Sequence, residues 1–263
     1  MAFIQWGLVT LVVILSAGPT WSAPSIIQMM PEKDTTLLDA DVRLKSDHLF
    51  CSSWRFTVET NDAGAWTRVP ARCVDFVKEY ITGDLYASEL EAVAANAADY
   101  ARAIGVSGDG RDAWVFDIDE TLLSNVPYYA VNGFGSHIFD EASFNEWVEL
   151  TEAPAIGPGL RLYKELQKLG FTLFLLTGRG EYQRHATERN LMYAGFTNWE
   201  KLIVRGNTDK GKPASVFKSE KRKEIEDAGY IIHGSSGDQW SDLMGFALAR
   251  RSFKLPNPLY HIA

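Results

Sequence analysis

The stretch Ala113-Trp-Val-Phe-Asp-Ile-Asp-Glu-Thr121 runs an unbroken apolar segment straight into carboxylates. A short continuous apolar run, with no polar alternation, reads as a strand buried on both faces. Asp117 and Asp119 stand two residues apart, so in extended chain both project to one side. Adjacent carboxylates repel, and one takes up a proton unless a cation lies between them. An isolated Asp pair is commonly a solvated turn. This pair ends a buried strand, and that context points to a site.

Working outward, the same texture recurs. Phe171–Leu176, Leu202–Val204 and Tyr230–Ile232 are further short apolar runs. Helical patterns separate them. Over Pro158–Leu169, Leu160, Tyr163, Leu166 and Leu169 share one face, with Pro at the start and Gly170 after the end. Tyr182–Ala194 and Ser215–Ala228 also read as helices, closed by Gly195 and Gly229. Strands alternating with helices predict an α/β fold with a mostly parallel sheet, which binds ligands at the carboxyl ends of its strands.

Upstream the pattern is different. Helices are predicted over Arg72–Ile81 and from Leu90 to Ile104. Alternation of Trp54, Phe56 and Val58 with Arg55, Thr57 and Glu59 predicts a short strand, and residues 24–50 read as a surface leader. The chain therefore divides into a mostly helical region over 24–105 and an α/β core over 106–263. An insertion at about 122–157 carries Tyr128, Tyr129, Phe134, Phe139, Phe144 and Trp147. It reads as a small cap over the site, although such an aromatic cluster also suits a core.

Polar residues gather after the apolar runs. Thr177-Gly178-Arg179 follows one, and Gly237-Asp238-Gln-Trp-Ser-Asp242 lies just beyond another. Asp238 brings a further carboxylate to the strand ends, and a hard cation such as Mg²⁺ favours a few carboxylate oxygens plus water and phosphate. That set suits phosphoryl transfer to a carboxylate, with the Thr177 hydroxyl and Gly178 amide on phosphate oxygens and a Lys balancing charge. Lys218 lies in a run with Lys221, Arg222 and Lys223, where most such side chains are solvated. Arg179 reads either as a partner behind the site or as a charge at a helix start. Polar Ser235-Ser236 stands where a buried strand end calls for apolar residues.

Asp117-Ile-Asp-Glu-Thr-Leu122, Leu176-Thr-Gly-Arg179, Lys218 in Phe217-Lys-Ser-Glu220, and Gly237-Asp-Gln-Trp-Ser-Asp242 resemble, in order, the four motifs of the haloacid-dehalogenase-like phosphohydrolases. Cys51-Ser-Ser-Trp54, Val58-Glu-Thr60 and Phe253-Lys-Leu-Pro-Asn-Pro258 narrow the resemblance to the plant acid phosphatase and vegetative storage protein group, over residues 45–263. The resemblance implies a Rossmann-like, doubly wound sheet and hydrolysis of small phosphomonoesters. Asp117 would be the nucleophile and Asp119 the general acid and base. Asp117, Asp119 through its backbone carbonyl, and Asp238 would hold Mg²⁺, with Asp242 supporting that shell. Thr177, Gly178 and Lys218 would bind phosphate. A storage protein with weak or incidental activity on the same scaffold is the alternative.

The 263 residues carry a net charge of −8, which disfavours nucleic acid and anionic membranes as partners. The first 23 residues have no charged side chain, and an apolar core from Leu8 to Leu15 precedes small residues around Ser22. This predicts a cleaved export signal and a secreted or vacuolar destination. Cys51 and Cys73 are the two cysteines, and in an exported chain they are expected to pair; two buried thiols are the alternative. A homodimer is left open.

Overall fold

The computed structural model describes residues 39–263. The segment read as an export signal and most of the expected leader lie outside the described residues. Residues Arg43–Ala263 form one compact unit.

Its centre is a five-stranded sheet in the order β3-β2-β1-β4-β5, every neighbouring pair parallel. The strands are β1 (Asp112–Phe116), β2 (Thr172–Gly180), β3 (Lys201–Arg205), β4 (Ile231–Gly237) and β5 (Arg251–Lys254). The chain steps outward from β1 to β3, then returns past β1 to lay down β4. The crevice between β1 and β4 is thus the switch point where such sheets bind ligands. β1 shows why the run around Trp114 carries no alternation. Ala113 and Val115 face a core completed by Phe217 and Ile225 of α8 (Ala214–Asp227). Trp114 and Phe116 face the opposite core, with Leu162, Tyr163 and Leu166 of α6 (Gly157–Leu169) and Ala97 and Ala101 of α3 (Asp84–Ala103). Both faces are covered, so both must be apolar.

The polar end of β4 has a packing reason. Trp114 donates from Nε1 to Ser236 Oγ at 3.1 Å, and a Cβ at Gly234 would lie 2.5 Å from the indole. Small and hydroxyl residues on β4 make room for the largest buried side chain of the core and satisfy its one polar group.

Residues 54–59 are not a strand. They close the helix α1 (Asp39–Glu59), which also takes in residues 39–50 of the expected leader. The decisive period is helical: Cys51 and Val58, seven residues apart, are both buried, whereas Phe56 is 63% exposed. The apparent alternation was coincidental. α1 packs with α2 (Val74–Ile81) in a further apolar cluster that includes Tyr80, Tyr128, Tyr129, Phe134 and Leu259. β5 escaped the sequence reading because Arg251-Ser-Phe-Lys254 offers one apolar side chain on an edge strand. Among the described residues no helix is long and apolar enough to cross a membrane.

Cys51 and Cys73 are joined by a disulfide, with Cα atoms 5.3 Å apart and a sequence separation of 22. Closing a loop of this length restricts the unfolded chain by about 3 kcal/mol in the chain-entropy account. A Cys51→Ser/Cys73→Ser variant is therefore expected to melt several degrees lower. Thermal unfolding of the oxidised wild type and the variant, side by side, measures this; an unchanged midpoint would contradict it.

Candidate functional site

Asp117 directly follows β1, and its amide donates to the Ser236 carbonyl of β4 at 2.9 Å. Asp238 follows the end of β4 and Asp242 lies in the short helix α9 (Trp240–Leu243). Gly237 admits this approach, since a Cβ there would overlap the Asp242 carboxylate. Asp117, Asp238 and Asp242 are buried, and one carboxylate oxygen from each lies within 4.8 Å of the others. Lys218 Nζ donates to Asp117 Oδ1 at 2.5 Å and also to Asp242. This lysine sits inside α8 and is 5% exposed, unlike Lys221 and Lys223 of the same run; Arg222 is buried too, donating to the Asp242, Met244 and Ala247 carbonyls.

The electrostatics follow from this crowding. Burial pushes the Asp117 carboxyl well above the ordinary range; Asp242's charge adds to the effect and Lys218 opposes it. Burial and Asp242 push Asp238 up to about 6, against hydrogen bonds from Asn257 and Gln239. Lys218 is held charged, because the attraction of Asp117 and Asp242 outweighs the cost of burial. Three carboxylates and one ammonium sum to −2 when all are ionised, a deficit that one divalent cation would cancel. Oxygen-only donors suit Mg²⁺. The residues present therefore fit such an ion.

Asp119 lies apart from that trio. Its carboxylate accepts from Arg179 Nη2 at 2.7 Å and Nε at 3.1 Å, from Asn125 Nδ2 at 2.8 Å, and from Thr177 Oγ1 at 3.5 Å. Burial would raise its pKa, but Arg179's charge and hydrogen bonds win and hold it below the usual carboxylate range. Arg179 is itself steadied by a bond to Thr187 Oγ1 at 3.1 Å. Of its two sequence readings, the partner behind the site is the one observed. β2 extends through Thr177-Gly178-Arg179, so this motif belongs to the strand's final residues rather than to the loop after it.

Sequence reasoning gave no role to several residues here. Glu120 takes a left-handed φ of 52° with its carboxyl fully buried, accepting from the Asn125 amide at 2.5 Å and Tyr260 OH at 2.6 Å. Burial, then the charges of Asp238 and Asp119, push it up to about 8. Asn125 bridges Glu120 and Asp119 while accepting from Trp147 Nε1 at 2.8 Å. Nothing local in the sequence marks Asn125 or Tyr260, and the Phe253–Pro258 motif that contains Asn257 gives no sign of its contact with Asp238. The site opens into a cleft of about 1200 Å³, walled by Tyr128, Tyr129, Phe139, Phe144, Tyr182 and Tyr260. The aromatic residues of the 122–157 segment thus serve both cleft and core.

A parallel sheet with carboxylates at the β1–β4 switch point defines a haloacid-dehalogenase-type fold. The class C acid phosphatase of Bacillus anthracis shares it, with a TM-score of 0.59 at 20% identity, covering 83% of this chain and 87% of that one. Residues 36–263 match the family "HAD superfamily, subfamily IIIB (Acid phosphatase)", and the chain belongs to that family. Acid phosphatase 1 of Solanum lycopersicum is 52% identical over 82% of this chain and 85% of its own length. Vegetative storage protein 2 of Arabidopsis thaliana is 34% identical over 96% of this chain and 97% of its own.

Proposed function

We propose that this chain is an acid phosphatase that hydrolyses small phosphomonoesters through an aspartyl-phosphate on Asp117. The observation that carries the reading is Asp117 itself. It is a buried carboxylate at the switch point, paired with Lys218 and open to the aromatic-walled cleft.

An Asp117 oxygen attacks phosphorus as the bond to the leaving oxygen breaks, and Asp119 gives that oxygen a proton. Asp119 then takes a proton from the water that attacks the aspartyl-phosphate, which releases inorganic phosphate and restores Asp117. Thr177 and the Gly178 amide hold phosphate oxygens, and Lys218 offsets their charge. Asp117, Asp238 and Asp242, with the Asp119 carbonyl, are the residues that would hold Mg²⁺. When bound, the ion supplies neutralisation of phosphate charge and orientation of the reacting group.

The storage reading draws on the Arabidopsis relative, but every expected site side chain is present here, which favours the enzyme. The disulfide suits an oxidising compartment, in line with a secreted or vacuolar destination.

Hydrolysis of an aryl phosphate, with and without Mg²⁺, tests the reading. Excess chelator is expected to abolish turnover and added Mg²⁺ to restore it. Full activity after verified metal removal would refute the cation assignment; no hydrolysis with Mg²⁺ present would favour storage.

A further inference from the structure

Asp238 is held from behind by contacts that begin in the N-terminal helix. Its Oδ2 accepts from Asn257 Nδ2 at 2.6 Å and from Gln239 Nε2 at 2.7 Å. Its Oδ1 has a long contact, 3.4 Å, to Thr121 Oγ1. Asn257 is 1% exposed, and its amide orientation is set by chemistry. Its Oδ1 accepts from the Leu259 N–H at 2.8 Å, so the NH₂ end must face Asp238. Pro256 and Pro258 flank Asn257 and restrict the backbone on both sides.

The segment is in turn gripped by Glu59, the last residue of α1. Glu59 Oε1 accepts from the Asn257 N–H at 3.0 Å, and Oε2 accepts from Lys254 Nζ at 2.8 Å. The Glu59 carbonyl accepts from Trp240 Nε1 at 3.2 Å. One residue thereby clamps two segments that follow Asp238 in the chain, and the disulfide from Cys51 to Cys73 ties its helix down.

We propose that Asn257 is a positioning residue that aims Asp238 at a divalent cation, and that Glu59 holds Asn257 in place. The inference rests on the cation-dependent reading above. With two amide donors on one oxygen, the carboxylate loses rotational freedom and keeps its other oxygen for a cation. Partners that orient metal ligands in this way are worth about 10–100-fold in metal affinity.

The test uses the whole protein stripped of metal and titrated calorimetrically with Mn²⁺. Asn257→Ala is expected to weaken Mn²⁺ binding about 10–100-fold, and Glu59→Ala to weaken it less. Thermal unfolding with and without Mn²⁺ separates positioning from mere support. A supporting role lowers both midpoints equally and leaves the metal-induced rise intact, whereas a positioning role shrinks that rise. An intact rise in Asn257→Ala, with Asp238→Asn abolishing Mn²⁺ binding, overturns this assignment alone. Absence of Mn²⁺ binding by the unaltered protein overturns the cation reading and this assignment together.

Discussion

Asp117→Asn is expected to abolish both turnover and the phospho-enzyme, a loss of roughly 10⁴-fold or more, the scale seen when a covalent nucleophile is removed. An amide oxygen is too weakly nucleophilic to attack phosphorus. Asn fills the same volume, and Lys218 keeps Asp242 as a partner, so the variant is expected to fold. The substitution also removes one of three crowded carboxylates, so a fall in melting temperature is not the expected cause of inactivity. Acid-quenched protein examined by mass spectrometry should carry phosphate in the wild type and none in the variant. Retained turnover, with deamidation back to Asp excluded, would displace Asp117 as nucleophile and bring the storage reading forward.

The second large effect concerns Asp119 and shows itself in leaving groups and pH. Asp119→Asn is expected to cost about 10²–10⁴-fold for alkyl phosphates, whose leaving oxygen needs a proton. The loss should be much smaller for aryl phosphates, which leave without full protonation. Equal losses for both classes would refute the acid role. Arg179 sharpens the prediction, because it holds Asp119 ionised in the free protein. The sign is direct. A group that must be protonated but has a depressed pKa becomes available only as pH falls, so activity drops with rising pH and an acid optimum follows. Arg179→Met removes the charge that depresses Asp119. Its pKa should then rise, carrying the alkaline limb of the pH–rate profile to higher pH. A limb that stays in place, or moves toward lower pH, would mean that another group sets it.

Much of the α/β core was legible because its signals are local. An apolar run such as Ala113–Phe116 suits a strand buried on both faces, and its alternation with helical patterns points to a covered parallel sheet, while the capped pattern from Pro158 to Gly170 can bury only one helical face. Misreadings arose where two periods competed over a short window. Trp54-Arg-Phe-Thr-Val-Glu59 satisfies alternation as well as helical spacing, and its environment decided for the helix: Cys51 lies in the disulfide's apolar cluster and Trp54, three residues on, packs against it, while Phe56 is exposed. The edge strand β5 carried too few apolar residues to announce itself.

The same distinction governs the site. By itself the sequence determined which side chains end the central strands, because strand direction carries Asp117, Thr177 and Asp238 to one edge of the sheet whatever else the chain does. It also determined the charge problem there, since clustered carboxylates must either take up protons or share a compensating cation. Folding alone decided the pairings: Lys218 between Asp117 and Asp242, Arg179 on Asp119, Asn125 between Asp119 and Glu120, and Asn257 behind Asp238. These contacts join residues as much as 101 positions apart, in the case of Lys218 and Asp117, and Glu59 reaches Asn257 across 198. No local pattern encodes such meetings. They exist because helices and tail segments from opposite ends of the chain pack around one switch point, where burial makes each unpaired charge costly enough to demand its partner.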